Sequence, residues 1–168
     1  MSCSVASEPV FATLSLGGNV GDVREAFRFA LDRLALTEGV EVVATSSVYR
    51  TAPWGKTDQP AFLNMAALLR VQLSPRALLN LCLDIESQRG RDRAEKWGPR
   101  TLDLDVLTYG DATIAEDGLI IPHPHVQDRA FVLVPLAEIA PDTLIKGKSA
   151  EAWLAALDAS DVEKVADL

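Results

Sequence analysis

Two cysteines are all that 168 residues hold, and Cys3 and Cys82 lie far apart. That scarcity excludes a disulfide framework and a cysteine-based zinc site. Cys82 falls within an apolar helical pattern and reads as a buried free thiol. Basic residues are outnumbered, with 16 lysines and arginines against 24 acids and a net charge of −8. Such a balance argues against nucleic acid as the main partner, because phosphate-backbone binding needs a broad basic surface. A small anion in a local basic pocket stays open. No apolar run approaches a membrane span. The start, "MSCSVASEPV", has neither the basic residues nor the apolar stretch of a signal peptide. There is no internal repeat, low-complexity tract or linker. These absences predict one soluble, cytoplasmic domain over residues 1–168, loosely ordered at 1–9. They imply no nucleic-acid, membrane or obligate protein partner.

What is present alternates between strand and helix. "VFATLSL" at 10–16 predicts a first strand, and "GGNVGD" at 17–22 turns the chain into a helix. Val23, Ala26, Phe27, Ala30, Leu31 and Leu34 follow the helical period on one face. Valine-rich residues 40–50 predict a second strand, and the proline- and glycine-bearing stretch 51–60 a loop. Residues 62–73 predict a third strand. Alternation puts Phe62, Asn64, Ala66 and Leu68 on one side, and Leu63, Met65, Ala67 and Leu69 on the other. Ser74 as N-cap and Pro75 at the first position open a second helix. Its buried stripe is Leu78, Leu81, Cys82 and Ile85, and Gly90 can end it. A charged loop over 91–99 leads to a strand at 101–109, a turn at Gly110-Asp111 and a short strand or extended arm to Ile121. Residues 128–139 and 149–157 read as helices. The order strand-helix-strand-strand-helix-strand predicts a ferredoxin-like α+β fold with a mainly antiparallel sheet.

Two motifs carry chemistry. In "WGPRTLDLDVL", Asp103 and Asp105 share one strand face, with Cα atoms about 6.5–7 Å apart. Carboxylates at that spacing can converge on one or two Mg²⁺ ions, which also bind water and phosphate; a solvated acidic strand face is the plainer alternative. Just upstream, Arg89, Arg91, Arg93, Lys96 and Arg100 crowd a short stretch of an acidic protein. Arginine forks recognise phosphate oxygens, so acids plus bases suit phosphoryl transfer on a metal–nucleotide complex. Trp97 and Pro99 argue against a floppy solvated loop. "GGNVGD" matches neither common phosphate-binding glycine pattern, and reads as a tight turn with Asn19 or Asp22 capping the helix. His123, in "IPHPHVQDRAF", can meet a phosphate or a base, whereas His123 and His125 lack a third soft ligand for a metal. Arg129 can reach an anion, and pattern alone places Phe131 in the core.

Three stretches together, "SSVYRTAPWGKTDQPAFLN", "GRDRAEKWGPRTLDLDVL" and "PHPHVQDRAFVLVPLAEIAP", closely resemble the 6-hydroxymethyl-7,8-dihydropterin pyrophosphokinases of folate biosynthesis. The likeness runs from about residue 11 to residue 141. It implies a ferredoxin-like core and transfer of the βγ-pyrophosphate of ATP to the pterin hydroxymethyl oxygen, releasing AMP. It implies Asp103 and Asp105 as ligands for two Mg²⁺ ions. It implies Glu86, Arg91, Arg93, Lys96, Trp97, Arg100, His123 and Arg129 around ATP. Of these, Arg93, Trp97 and Arg100 join the two aspartates in catalysis. Phe62 and Phe131 resemble the aromatic walls around the pterin, and Asn64 the side chain pairing with its amide edge. Thr51, Pro53 and Trp54 fall in the loop that completes the pocket. For Phe131 the resemblance overturns the core reading.

The sequence departs from the family pattern at Lys96, where an arginine commonly precedes the tryptophan, and lysine loses the bidentate fork. Phe62 lacks a phenolic hydroxyl that some relatives carry. After about residue 141 little family signal remains. The expected mechanism closes loops 51–60 and 90–99 over both substrates. A metal-dependent nucleotidyltransferase also uses D-x-D, but its glycine motif lies close before the acids, not about 85 residues upstream. A nucleotide-sensing module leaves the aromatic pair unexplained.

Overall fold

The computed structural model describes residues 5–51, 61–89 and 102–168. Along them run β1 (Val5–Gly18), α1 (Val23–Ala35), β2 (Val40–Thr45), β3 (Val48–Thr51), β4 (Phe62–Leu73) and α2 (Pro75–Gln88). Then follow β5 (Asp103–Tyr109), β6 (Ile114–Glu116), β7 (Leu119–Ile121), α3 (Ala130–Ile139), β8 (Leu144–Ile145), β9 (Lys148–Ser149), α4 (Ala150–Ala155) and β10 (Glu163–Ala166). The main sheet has the order β10-β3-β4-β1-β5, with β2 also on β4. Every pairing in it is antiparallel. The fold is α+β, with helices packed on an antiparallel sheet.

Caps fix the helix starts where the sequence places them. Asp22, not Asn19, caps α1, its carboxylate accepting the Glu25 N–H at 3.1 Å. The Ser74 hydroxyl accepts the Ala77 N–H at 3.1 Å, and Pro75 needs no partner at the first position. The apolar stripes of α1 and α2 cover one sheet face, where Phe27, Leu34, Leu78 and Ile85 meet Leu14, Leu16, Met65 and Leu69. On the opposite face α3 and α4 bury Val132, Leu133 and Leu136 against Ala66 and Leu107. Both faces of β4 are therefore covered, which is why its sequence is apolar on both sides of the alternation. Cys82 is fully buried, and burial pushes its thiol up to about 12.

Several boundaries differ from expectation. The first strand reaches back to Val5, which pairs with Leu73. The valine-rich stretch 40–50 is two strands, because Ser46 and Ser47 break the ladder. The Ser46 hydroxyl accepts the Ala66 N–H at 2.8 Å. The Ser47 N–H donates to Glu138 of α3 at 3.0 Å. The same carboxylate accepts the Tyr49 hydroxyl at 2.7 Å. Burial first, then this acceptor, pushes the Tyr49 phenol up to about 12. The arm after Gly110 is a hairpin of β6 and β7. A single 3-10 turn at Val126–Asp128 precedes α3, which starts at Ala130 rather than 128. Gly90 lies outside the described residues, and α2 ends at Gln88 with Arg89 as its cap.

Candidate functional site

Register brings the distant site residues into one row. Asn64 of β4 lies opposite Gly17 of β1, and Gly17 lies opposite Asp103 of β5. In the next row Ser15 stands between Ala66 and Asp105. Residues opposite one another point to the same side, so Asn64, Asp103 and Asp105 share the sheet face that α3 covers farther along. At about 4.8 Å per strand, Asn64 and Asp103 stand about 10 Å apart.

Gly17 does the work that sequence reasoning missed. The glycine pair ends a strand instead of forming the turn. A Cβ at Gly17 would come within 3.1 Å of the Asn64 side-chain oxygen. Glycine there clears the floor between the amide and the first carboxylate. Only strand register could have revealed this. Asn64 is buried at 5% exposure, and its amide donates to the Thr51 hydroxyl at 3.2 Å. Thr51 lies opposite Phe62, so Phe62, Asn64 and Thr51 form one corner of the sheet.

Asp103 and Asp105 are half-buried, with Leu104 and Val106 facing the core. Among the described residues no cluster of three or more metal-ligating side chains occurs. Two carboxylates with little else fit Mg²⁺, a hard cation that keeps water and takes substrate phosphate oxygens. Between them, the Leu104 N–H donates to the Glu86 carboxylate at 2.6 Å. Glu86 is 2% exposed, so its carboxylate ties α2 to the strand that carries both acids. Glu86→Ala would leave the Leu104 N–H without that partner and cost about 1–3 kcal/mol. Glu86→Gln, which keeps an acceptor, should cost less in urea unfolding. Equal losses in the two variants would remove the hydrogen bond as the cause.

His123 is tied to the same strand, its N–H donating to the Leu107 carbonyl at 3.0 Å. Burial, then the charge of Arg129 and then His125, pushes its imidazole down to about 4. It is neutral at pH 7. Between about pH 6.5 and 4 the unfolded chain takes up a proton that the folded chain refuses. The His123 contribution to stability is thus present above 6.5 and lost as pH falls toward 4. Its ring resonances should titrate near 4 by NMR; a midpoint near 6.5 would rule out the burial described. The Arg129 guanidinium lies 5.9 Å from the Phe131 ring centroid, at the start of α3. Phe131 is half-buried and packs beside the apolar cluster of that face.

The structure thus gathers Thr51, Phe62, Asn64, Asp103 and Asp105 on one sheet face and shows Glu86, His123, Arg129 and Phe131 in their own contacts. Pro53, Trp54, Arg91, Arg93, Lys96, Trp97 and Arg100 lie outside the described residues, as do 52–60 and 90–99 of the loops expected to close, whereas Thr51, expected in the first loop, ends β3. Among the described residues no helix is long and apolar enough to cross a membrane.

Residues 13–141 match the family of 7,8-dihydro-6-hydroxymethylpterin-pyrophosphokinase, HPPK. The chain is 50% identical over 154 residues to the 2-amino-4-hydroxy-6-hydroxymethyldihydropteridine pyrophosphokinase of Methylorubrum extorquens, covering 92% of this chain and 98% of that one. It is 53% identical over 131 residues to the protein of the same name from Synechocystis, covering 78% and 67%. Among solved structures, wild-type HPPK-DHPS of Plasmodium falciparum with pterin and p-hydroxybenzoate aligns at a TM-score of 0.70, 15% identity and 92% of this chain. The present chain spans 44% of that longer one, and the likeness concerns the fold alone.

Proposed function

The chain belongs to the 7,8-dihydro-6-hydroxymethylpterin-pyrophosphokinase family, and from that premise we propose how its residues divide the reaction. It is a diphosphotransferase of folate biosynthesis, moving pyrophosphate to 6-hydroxymethyl-7,8-dihydropterin. It uses ATP, for which Mg²⁺ is the general companion. The pterin hydroxyl oxygen bonds to the β-phosphorus as the bond from that phosphorus to the AMP oxygen breaks. The row Asn64–Gly17–Asp103 carries this reading. It sets a group suited to a heterocycle edge and a group suited to a metal–phosphate complex side by side, with open floor between them.

On the pterin side, Phe62 and Phe131 stack on the ring, Asn64 reads its amide edge, and Thr51, Pro53 and Trp54 complete the pocket. A site built on such hydrogen bonds rejects rings that lack the matching groups. On the phosphate side, Asp103 and Asp105 would hold two Mg²⁺ ions, which when bound neutralise and orient the triphosphate. Glu86 keeps both acids in place through Leu104. Arg91, Arg93, Lys96, Trp97, Arg100, His123 and Arg129 are assigned to ATP on their family positions. His123 would serve as a neutral hydrogen-bonding group, and Arg129 as a charge. Positioning and charge neutralisation supply most of the rate.

The strand order β3-β4-β1-β5 and the chain order support a ferredoxin-like core. The proposed setting is the cytoplasm, in keeping with ATP as donor. Incubation with ATP, Mg²⁺ and the pterin, followed by chromatography, should give pterin-dependent AMP and no ADP. ADP would mean attack at the γ-phosphorus. ATP binding without any turnover would favour a sensing module.

A further inference from the structure

The chain beyond residue 141 lies outside the family match, yet it returns to the site. Beyond α4 the backbone turns through residues 157–162, closed by the Val162 N–H on the Ala159 carbonyl at 3.0 Å. Then β10 pairs with β3, Glu163 lying opposite Arg50, so the turn sits beside the strand that ends in Thr51. A cleft of about 140 Å³ lies there, lined by Thr51, Arg129, Ala130 and Phe131 on one part and Leu157 and Val162 on the other. Leu157 and Phe131 also pack on the same apolar cluster. Phe62 and Asn64 do not line this cleft. It flanks the aromatic wall that Phe131 forms. Phe131 stands only one residue inside α3, so its ring direction depends on what lies beside it.

We infer that Leu157 and Val162 are positioning residues for the pterin half of the site, holding Phe131 and the Thr51 corner in place. The inference rests on the pterin role proposed for Phe131. Loss of either side chain widens the cleft, and the Phe131 ring then swings away from its stacking position. Asp103 and Asp105 of the Mg²⁺–ATP half do not line the cleft, and Arg129 is the one ATP-assigned residue that does.

The test uses the full chain carrying Leu157→Ala, Val162→Ala or the volume-conserving Leu157→Met. Pterin binding is measured by calorimetry in the presence of a non-hydrolysable ATP analogue, alongside steady-state kinetics and thermal melts. The alanine variants should weaken pterin about tenfold and the analogue, which meets the cleft through Arg129 alone, by no more than about threefold, with Leu157→Met close to wild type. Unchanged pterin affinity in folded alanine variants would overturn the inference. So would parallel losses for pterin and analogue, which mark a merely structural role. If Leu157→Ala fails to fold, Val162→Ala and Leu157→Met decide by the same criteria. Wild-type protein that binds pterin but forms no AMP would end the proposed reaction while the affinity comparison still judges this inference. Wild-type protein that binds no pterin would end both.

Discussion

Replacing Asp105 with alanine is expected to lower turnover by about a thousandfold or more, equivalent to about 4 kcal/mol of transition-state stabilisation. The reason is the small number of donors. Among the described residues only Asp103 and Asp105 offer carboxylates on the site face of β5, and no third ligand gathers with them. Removing one would take away half of the carboxylates that the described residues offer to the proposed metal. Asp105→Asn keeps the shape and loses the charge, so it should fall nearly as far. The fold should survive, because Leu104 and Val106, not the acids, face the core. Turnover at saturating ATP and Mg²⁺, with circular dichroism as control, checks both points. Rates within a few-fold of wild type for Asp103→Ala and Asp105→Ala would end the metal assignment.

The second large effect falls on the pterin alone. Gly17→Ala should raise the KM for pterin by about tenfold to a hundredfold, equivalent to about 1.4–2.7 kcal/mol, with the KM for ATP little changed. The added methyl would sit 3.1 Å from the Asn64 side-chain oxygen, so that amide must give way. It is held at its other end by Thr51. Relief therefore means breaking a buried hydrogen bond or moving β4, which is covered on both faces. A pterin KM equal to wild type in a normally folded Gly17→Ala protein would show that the floor need not be clear. A parallel rise in both KM values would point to general strain.

Local signals placed much of the fold. The periodic stripes of α1 and α2, their caps at Asp22 and Ser74, and the long apolar β4 were all readable, because each depends on neighbours a few residues away. What failed depends on partners far along the chain. The break at Ser46-Ser47 needs Ala66 and Glu138. The two-residue strands β8 and β9 are too short to show alternation. The C-terminal β10 exists because β3 lies beside it. The site divides in the same way. Asp103 and Asp105 could be paired from their spacing. Phe131 read as core, and only family likeness suggested a stacking role. Gly17 became meaningful only once register set it between Asn64 and Asp103.

The last strand of the main sheet has a consequence for how molecules meet. A free sheet edge invites another strand to pair with it, and proteins suppress this by capping or charging the edge. At β5, the Leu104 N–H is taken by the Glu86 carboxylate and the Leu107 carbonyl by the His123 N–H. Acidic side chains flank the first of these caps. The groups that brace the site thus also occupy two of the backbone partners a second copy would need to extend the sheet at this edge.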